Sequence, residues 1–248
     1  MIDKGVFQGI DGARVAIIFL LLSVSLDSLK LLIENTKDFN CLLKLNDEYR
    51  RLGLFDTANK YLKNYEKLFG FEEEAQLNYL IGENLFFKCA LLNAREQYLI
   101  TVARFSNARY ANESLERLHL FESARKDTIL LKKLARSIYF YEIKDFKHSE
   151  DSLKALIKTS IGDYALYYLS LIYYQNKNFD QALSALEELH RDFPANRIHQ
   201  AILLKAEIYF SIGRERDGIK ILEDIIIKKP NSPIGIRARE ILKERNKK

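Results

Sequence analysis

Residues 163–194 read DYALYYLSLIYYQNKNFDQALSALEELHRDFP. The stretch divides into two amphipathic helices, with a break around Asn176 to Asn178 and a stop at Pro194. Small Ser170 is followed three residues on by Tyr173, and nine residues further by small Ala182. Leu186 and Leu189 continue the face of Ala182. The same spacing recurs downstream through Ala206, Tyr209, Gly218, Leu222, Ile225 and Pro230. Upstream it gives Ser137, Phe140, Ser149, Leu153 and Leu156, then Gly82, Leu85, Ala94, Tyr98 and Thr101. The first copy is Asn46, Tyr49, Ala58, Leu62 and Tyr65, with Gly53 at its turn.

The spacing has a physical cause. Two antiparallel helices approach closely where both present small side chains at their crossing, and a large residue one turn along fills the gap left between hairpins. One hairpin cannot cover its own apolar faces, so neighbours must stack. The small second-helix positions fall at Ala58, Ala94, Ser149, Ala182 and Gly218, giving intervals of 36, 55, 33 and 36 residues. The long interval predicts about 20 extra residues near 107–129, and the segment ANESLERLHLFESARK predicts an extra or lengthened helix there.

Composition agrees. Ten glycines and three prolines in 248 residues leave turns scarce, which argues against a sandwich, a barrel or a loop-built catalytic domain. Apolar residues make up 48% and charged residues 29%, as in a folded chain. The net charge of +5 is concentrated at the C-terminus: residues 237–248 hold six Lys/Arg and two Glu. That pattern reads as a solvated helix end, where cations are favoured, in preference to a phosphate-binding face.

Nothing in the chain reads as catalytic or metal-binding. Cys41 and Cys89 lie far apart, and His119, His148, His190 and His199 form no HxxxH pair. The nucleophile-elbow, P-loop and dinucleotide glycine patterns are missing from the sequence. The chain is therefore read as a non-enzyme, without cofactor, metal or small-molecule substrate.

These residues resemble the tetratricopeptide repeat family, whose helix–turn–helix unit has this small–aromatic–small–apolar order and a terminal proline. The resemblance covers about 39–232 and is strongest over 163–230. It departs at Asn46, which stands where a small residue is expected, and in the missing prolines of the first three copies. It implies an all-α, right-handed superhelical array of about five repeats within residues 26–248, closed by a polar-faced capping helix over 233–246. The junctions FPANRIHQA and KPNSPIGIRA resemble those of periplasmic repeat proteins of the bacterial envelope, such as the outer-membrane-protein assembly lipoprotein and the Tol–Pal-associated cell-division coordinator.

In this family the first helices line a concave groove, and the residue after each packing aromatic points more toward it. Here those residues are Phe86, Tyr141, Tyr174 and Phe210, with Tyr79 and Tyr167 earlier in the same rows and Tyr164 adding a ring. Glu83 and Glu207 then stand ready for a basic or amide-bearing peptide. The alternative is that these rings pack between neighbouring first helices. The row before them, Phe140, Tyr173 and Tyr209, is assigned to the core.

The N-terminal run VAIIFLLLSVSL, Val15 to Leu26, is too short to span a bilayer comfortably but has the length of a signal-peptide apolar region. Residues 1–25 are read as a signal peptide, an uncleaved anchor that would allow membrane association, or a buried first helix. Three functions follow. The chain is a non-catalytic scaffold holding a segment of another protein in its groove, with the periplasm or cell envelope as its setting and envelope assembly or cell division as its process. Alternatively it is a cytoplasmic assembly or regulatory adaptor. The third and least supported reading is a nucleic-acid binder acting through its basic tail.

Overall fold

Five residues with left-handed backbone, Gly53, Cys89, Lys144, Lys177 and Gly213, mark where helices turn back on themselves (φ 60 to 77°). Their intervals are again 36, 55, 33 and 36 residues. The computed structural model describes residues 26–124 and 127–245. Among them, each marked residue closes one helical hairpin: α2 (Phe39–Arg51) with α3 (Phe55–Tyr65), α4 (Phe71–Phe87) with α5 (Leu91–Arg104), α7 (Thr128–Glu142) with α8 (Phe146–Lys154), α9 (Gly162–Gln175) with α10 (Phe179–Asp192), and α11 (Gln200–Ser211) with α12 (Glu215–Lys228). A helix α1 precedes them at 26–36, α6 (Arg109–Ser123) stands between the second and third hairpins, and α13 (Pro233–Arg245) follows the last. The described residues form an all-α array of repeated helical hairpins.

Each first helix ends in the same pair of hydrogen bonds. In the third hairpin the Lys144 amide donates to the Tyr141 carbonyl at 3.0 Å, and the Asp145 amide to the Phe140 carbonyl at 2.8 Å. The fourth pairs Lys177 with Tyr174 and Asn178 with Tyr173; the fifth pairs Gly213 with Phe210 and Arg214 with Tyr209. The first two repeat the pattern through Gly53 and Cys89. This double closure satisfies carbonyls that a helix end would otherwise leave unpaired. It also fixes Tyr49, Leu85, Phe140, Tyr173 and Tyr209 at one position of the last turn, and Arg50, Phe86, Tyr141, Tyr174 and Phe210 at the next. Two helix starts are capped by aspartates: Asp38 accepts from the Cys41 amide (2.7 Å), and Asp127 from Ile129 and Leu130 (3.0 and 2.9 Å).

The residues at the helix crossings are buried throughout: Asn46 and Ala58, Gly82 and Ala94, Ser137 and Ser149, Ser170 and Ala182, Ala206 and Gly218. The two glycines do more than let helices approach. A methyl group at Gly82 would come within 2.6 Å of the Tyr98 ring, and one at Gly218 within 2.7 Å of Cδ1 of Phe210. Each glycine leaves a hollow that a ring of its own hairpin fills.

The chain forms two compact units that divide within α6, between Leu118 and His119. In the first, Leu26 and Ile33 of α1 join Leu42, Leu45, Leu62, Leu77 and Ile81 in a core spanning α1 to α4. The out-of-pattern Asn46 is accounted for here. Asn84 donates to Oδ1 of Asn46 (2.9 Å) and of Asn59 (2.8 Å), and accepts from Nε of Arg50 (2.6 Å), so a buried polar network ties three helices together. In the second unit α9 neighbours both α7 and α11, and Ile234, Ala238 and Ile241 of α13 pack on Ala206, Phe210, Leu222 and Ile225. Among the described residues no helix is long and apolar enough to cross a membrane. The signal-peptide or anchor reading of residues 1–25 lies outside the described residues.

Candidate functional site

The sequence-predicted groove residues fall in both units. In the first, Glu83 is only 4% exposed and already engaged. Arg117 of α6 donates to both its carboxylate oxygens (2.7 and 2.6 Å), and the Tyr98 hydroxyl donates at 2.5 Å. Burial alone would raise the pKa of Glu83; the Arg117 guanidinium and the Tyr98 hydroxyl outweigh it and hold the carboxyl below its ordinary value. Phe86 is fully buried, with the Arg117 guanidinium 5.6 Å from its ring centroid. Glu83 and Phe86 are therefore interior groups of the first unit, which corrects their reading as partner contacts. The cause is α6, which brings Arg117 over both. Tyr79 is half-buried, its ring 5.5 Å from that of Tyr110 and 6.1 Å from that of Tyr98.

In the second unit the predicted residues divide differently. Tyr164 is buried. Tyr141 and Tyr167 are half-buried and joined through Tyr168, whose ring meets each of theirs edge-on at 5.6 and 5.5 Å. Burial pushes the Tyr141 phenol up. Tyr174, Glu207 and Phe210 come together in a cleft of about 530 Å³ between α9, α11 and α13. Its floor is Phe210, 9% exposed and seated over Gly218. The Tyr174 hydroxyl lies 3.4 Å from Oγ of Ser211 at the rim. Ile241, Arg237, Glu244 and Arg245 of α13 complete the wall.

The two arginines of the wall are committed elsewhere. Arg245 forks onto Glu215 (2.9 and 3.0 Å), its guanidinium 3.8 Å from the Phe210 ring centroid, and Arg237 donates to Glu240 at 3.0 Å. Glu207 is half-buried; desolvation raises its carboxyl above the ordinary value and Arg237 offsets only part of that. Among the described residues, no three His, Cys, Asp or Glu side chains gather as they would around a metal ion.

The row assigned to the core is the more exposed of the two. Phe140, Tyr173 and Tyr209 are all half-buried. Tyr173 donates to Glu150 (3.1 Å), and Tyr209 carries the Arg214 guanidinium 4.5 Å from its centroid. Ring depth follows the neighbours each helix happens to have.

Residues 164–196 match the tetratricopeptide repeat family. The matched repeat is α9 with α10 and the turn through Pro194. Among solved structures the chain is similar to the TPR2AB-domain:pHSP90 complex of yeast Sti1, at 14% identity over 90% of this chain and 90% of that one, with a TM-score of 0.41. It is likewise similar to PilW, a type IV pilus biogenesis factor (15% identity, 92% and 96% covered, TM-score 0.41), and to YrrB, a TPR protein with an unusual peptide-binding site (12% identity, 85% and 96% covered, TM-score 0.40). No curated protein matches the sequence.

The matched repeat contributes one residue, Tyr174, to the cleft; the rest come from the helices that follow it. Sequence reasoning misses Ser211 and all of the α13 wall, because a polar-faced cap over 233–246 carries no expectation of a binding surface. The signal was present. Arg237, Ile241, Glu244 and Arg245 follow one another at helical spacing, and Ile241 shares its face with Ile234 and Ala238. Such a face packs on what precedes it and presents its neighbours at the rim. The arrangement offers a ring floor, an apolar wall and polar edges, suited to holding a side chain or a short segment.

Proposed function

We propose that this chain is a non-catalytic scaffold that binds an extended or helical segment of another protein, and that the cleft between α9, α11 and α13 is where the segment is held. The observation that carries the reading is the cleft itself: about 530 Å³, with Phe210 as its floor and Tyr174 at its rim. Aromatic anchors of this kind concentrate binding energy in protein interfaces. The tetratricopeptide repeat match over 164–196 supports a helical-repeat scaffold in the same unit.

The test is site-directed crosslinking in native cells. A photoreactive residue in place of Ser211, which is exposed at the cleft rim, is expected to give a discrete protein adduct. The same group at Ile227, 76% exposed on α12 and outside the cleft, is expected to give none. Equal adducts at both positions, or an adduct only at Ile227, would overturn the cleft as the binding site.

We further propose export to the bacterial envelope, with a role in assembly or cell division there. The apolar run Val15 to Leu26 and the two proline junctions support it. N-terminal sequencing of the protein from its native cells should then start near Leu26, leaving α1 in the mature chain. An intact Met1 in the soluble cytoplasmic fraction would favour the cytoplasmic adaptor instead.

A further inference from the structure

We infer that the cleft between α9, α11 and α13 is built to take a cationic side chain, a lysine or arginine of the partner segment. The inference rests on the scaffold reading above and adds the chemistry of the occupant. Two arginines and two glutamates line the cleft, so its charge looks balanced until partners are assigned. Both arginines are held by carboxylates that are not part of the lining: Arg237 by Glu240, Arg245 by both oxygens of Glu215. Glu207 and Glu244 make no hydrogen bond or close ion pair with any described side chain, and Arg237 reaches Glu207 only as a more distant charge. What the lining leaves unanswered is negative.

Glu207 sharpens the point. It is half-buried on α11 beside Phe210, and a carboxylate drawn out of water without a donor costs the fold free energy. An arriving ammonium or guanidinium supplies the missing donor, and a hydrogen bond to a charged group is stronger than a neutral one. The rest of the cleft suits the remainder of such a side chain. Ile241, Phe210 and the Tyr174 ring offer apolar surface to the methylene stem that lysine and arginine bury while keeping the charged head in polar surroundings. Tyr174 also offers a ring toward which a cation is drawn. An acidic side chain would instead face Glu207 and Glu244, and would have to strip Arg237 or Arg245 from its present carboxylate.

The test uses the full chain and two synthetic peptides of twelve residues with one apolar pattern. One carries lysines at its polar positions, the other glutamates, and both are titrated by fluorescence anisotropy at two salt concentrations. The lysine peptide is expected to bind at least about tenfold more tightly, and Glu207→Gln to weaken it by about tenfold, the equivalent of one charge-assisted hydrogen bond. Glu223→Gln, an exposed α12 carboxylate outside the cleft, is expected to leave it unchanged. Tighter binding of the glutamate peptide, no binding of the lysine peptide, or equal loss with Glu223→Gln would overturn the inference. The Ser211 crosslink separates the two readings. An undiminished native adduct in the Glu207→Gln background keeps the scaffold and removes the cation selectivity, whereas loss of the adduct in the wild-type background removes the scaffold reading itself.

Discussion

Gly218→Ala tests whether the cleft floor is set by a hollow in α12. In the middle of a helix this change ordinarily stabilises by about 1 kcal/mol, because alanine has the higher helix propensity. Here the added methyl would lie 2.7 Å from Cδ1 and 2.8 Å from Cζ of Phe210. The ring has little room to retreat, since the Arg245 guanidinium stands 3.8 Å from its centroid, itself fixed on Glu215. Overpacking of this kind costs about 1–3 kcal/mol, so the expected net is a loss of about 1 kcal/mol in place of a gain. Phe210→Leu alone should cost about 1–2 kcal/mol through lost ring contacts. In the double variant the new methyl occupies space that the ring has vacated, so the double variant should be no less stable than Phe210→Leu. The cycle should therefore show a coupling of at least about 1 kcal/mol, read from urea denaturation midpoints at unchanged m-value. Stabilisation by Gly218→Ala, with additive behaviour in the double variant, would refute the seating of Phe210 over Gly218.

Arg117→Met should destabilise the chain by about 3–5 kcal/mol at pH 7, since it leaves the Glu83 carboxylate buried without its cation. In wild type Glu83 is held low, so its contribution is present above the ordinary carboxylate range and is lost on acidification through its lowered value. In the variant burial dominates and the carboxyl is raised, so thermal unfolding should show the deficit shrinking as pH falls. Glu207→Gln should leave the fold as stable as wild type or more so at pH 7. The folded chain holds the Glu207 proton more tightly than the unfolded chain does, so its contribution is full below the ordinary carboxylate value and lost as pH rises. The advantage of the variant should therefore vanish toward pH 4, and a variant less stable than wild type at pH 7 would contradict the account. Lys177→Gly, at a left-handed position closing the α9–α10 hairpin, should raise stability by about 0.5–1 kcal/mol in the same assay, whereas Gly213→Ala should lower it.

The repeat register was legible because small residues must sit at the helix crossings, and they recur at intervals of 36, 55, 33 and 36. The left-handed residues that close the hairpins repeat the same intervals, but Cys89, Lys144 and Lys177 carry no mark of it in the sequence. The depth of individual rings was not legible from a single-repeat template. Phe86, Tyr141, Tyr174 and Phe210 occupy equivalent helix positions, yet Phe86 is buried under Arg117 and Tyr174 is half-buried at a cleft. Those fates are decided by helices outside the template, α6 and α13. One signal did exist. Gly82 and Gly218 are the glycines among positions otherwise held mainly by Ala and Ser, and each announces a hollow. Tyr98, a ring where the other second helices carry leucine, is the matching clue in the first unit. The Glu83–Arg117 pair, 34 residues apart with Arg117 inside the inserted segment, had no sequence signature at all.

The basic C-terminus takes on a different meaning once α13 is placed. Two of its arginines are not a free electrostatic surface: Arg245 forms part of the cleft wall through its stack on Phe210 and its fork onto Glu215, and Arg237 is paired within the helix. Truncation after Ile241 would therefore do more than remove charge. It would uncover the Phe210 ring, free Glu215 and delete Glu244, so weaker partner capture by the truncated chain would not identify charge as the attraction. Arg239 and Lys243 are the better probes, being exposed on α13 and outside the cleft lining. Replacing both with glutamine removes two positive charges and leaves the wall intact. If partner binding is a matter of the cleft, affinity should stay within about twofold of wild type or tighten, because neither side chain lines the cleft and exposed charges are weakened by solvent and salt. If the tail attracts a polyanion, the double variant should lose affinity steeply and flatten the salt dependence, roughly one unit of slope for each phosphate contact removed. That second outcome would move the binding site from the cleft to the outer face of α13.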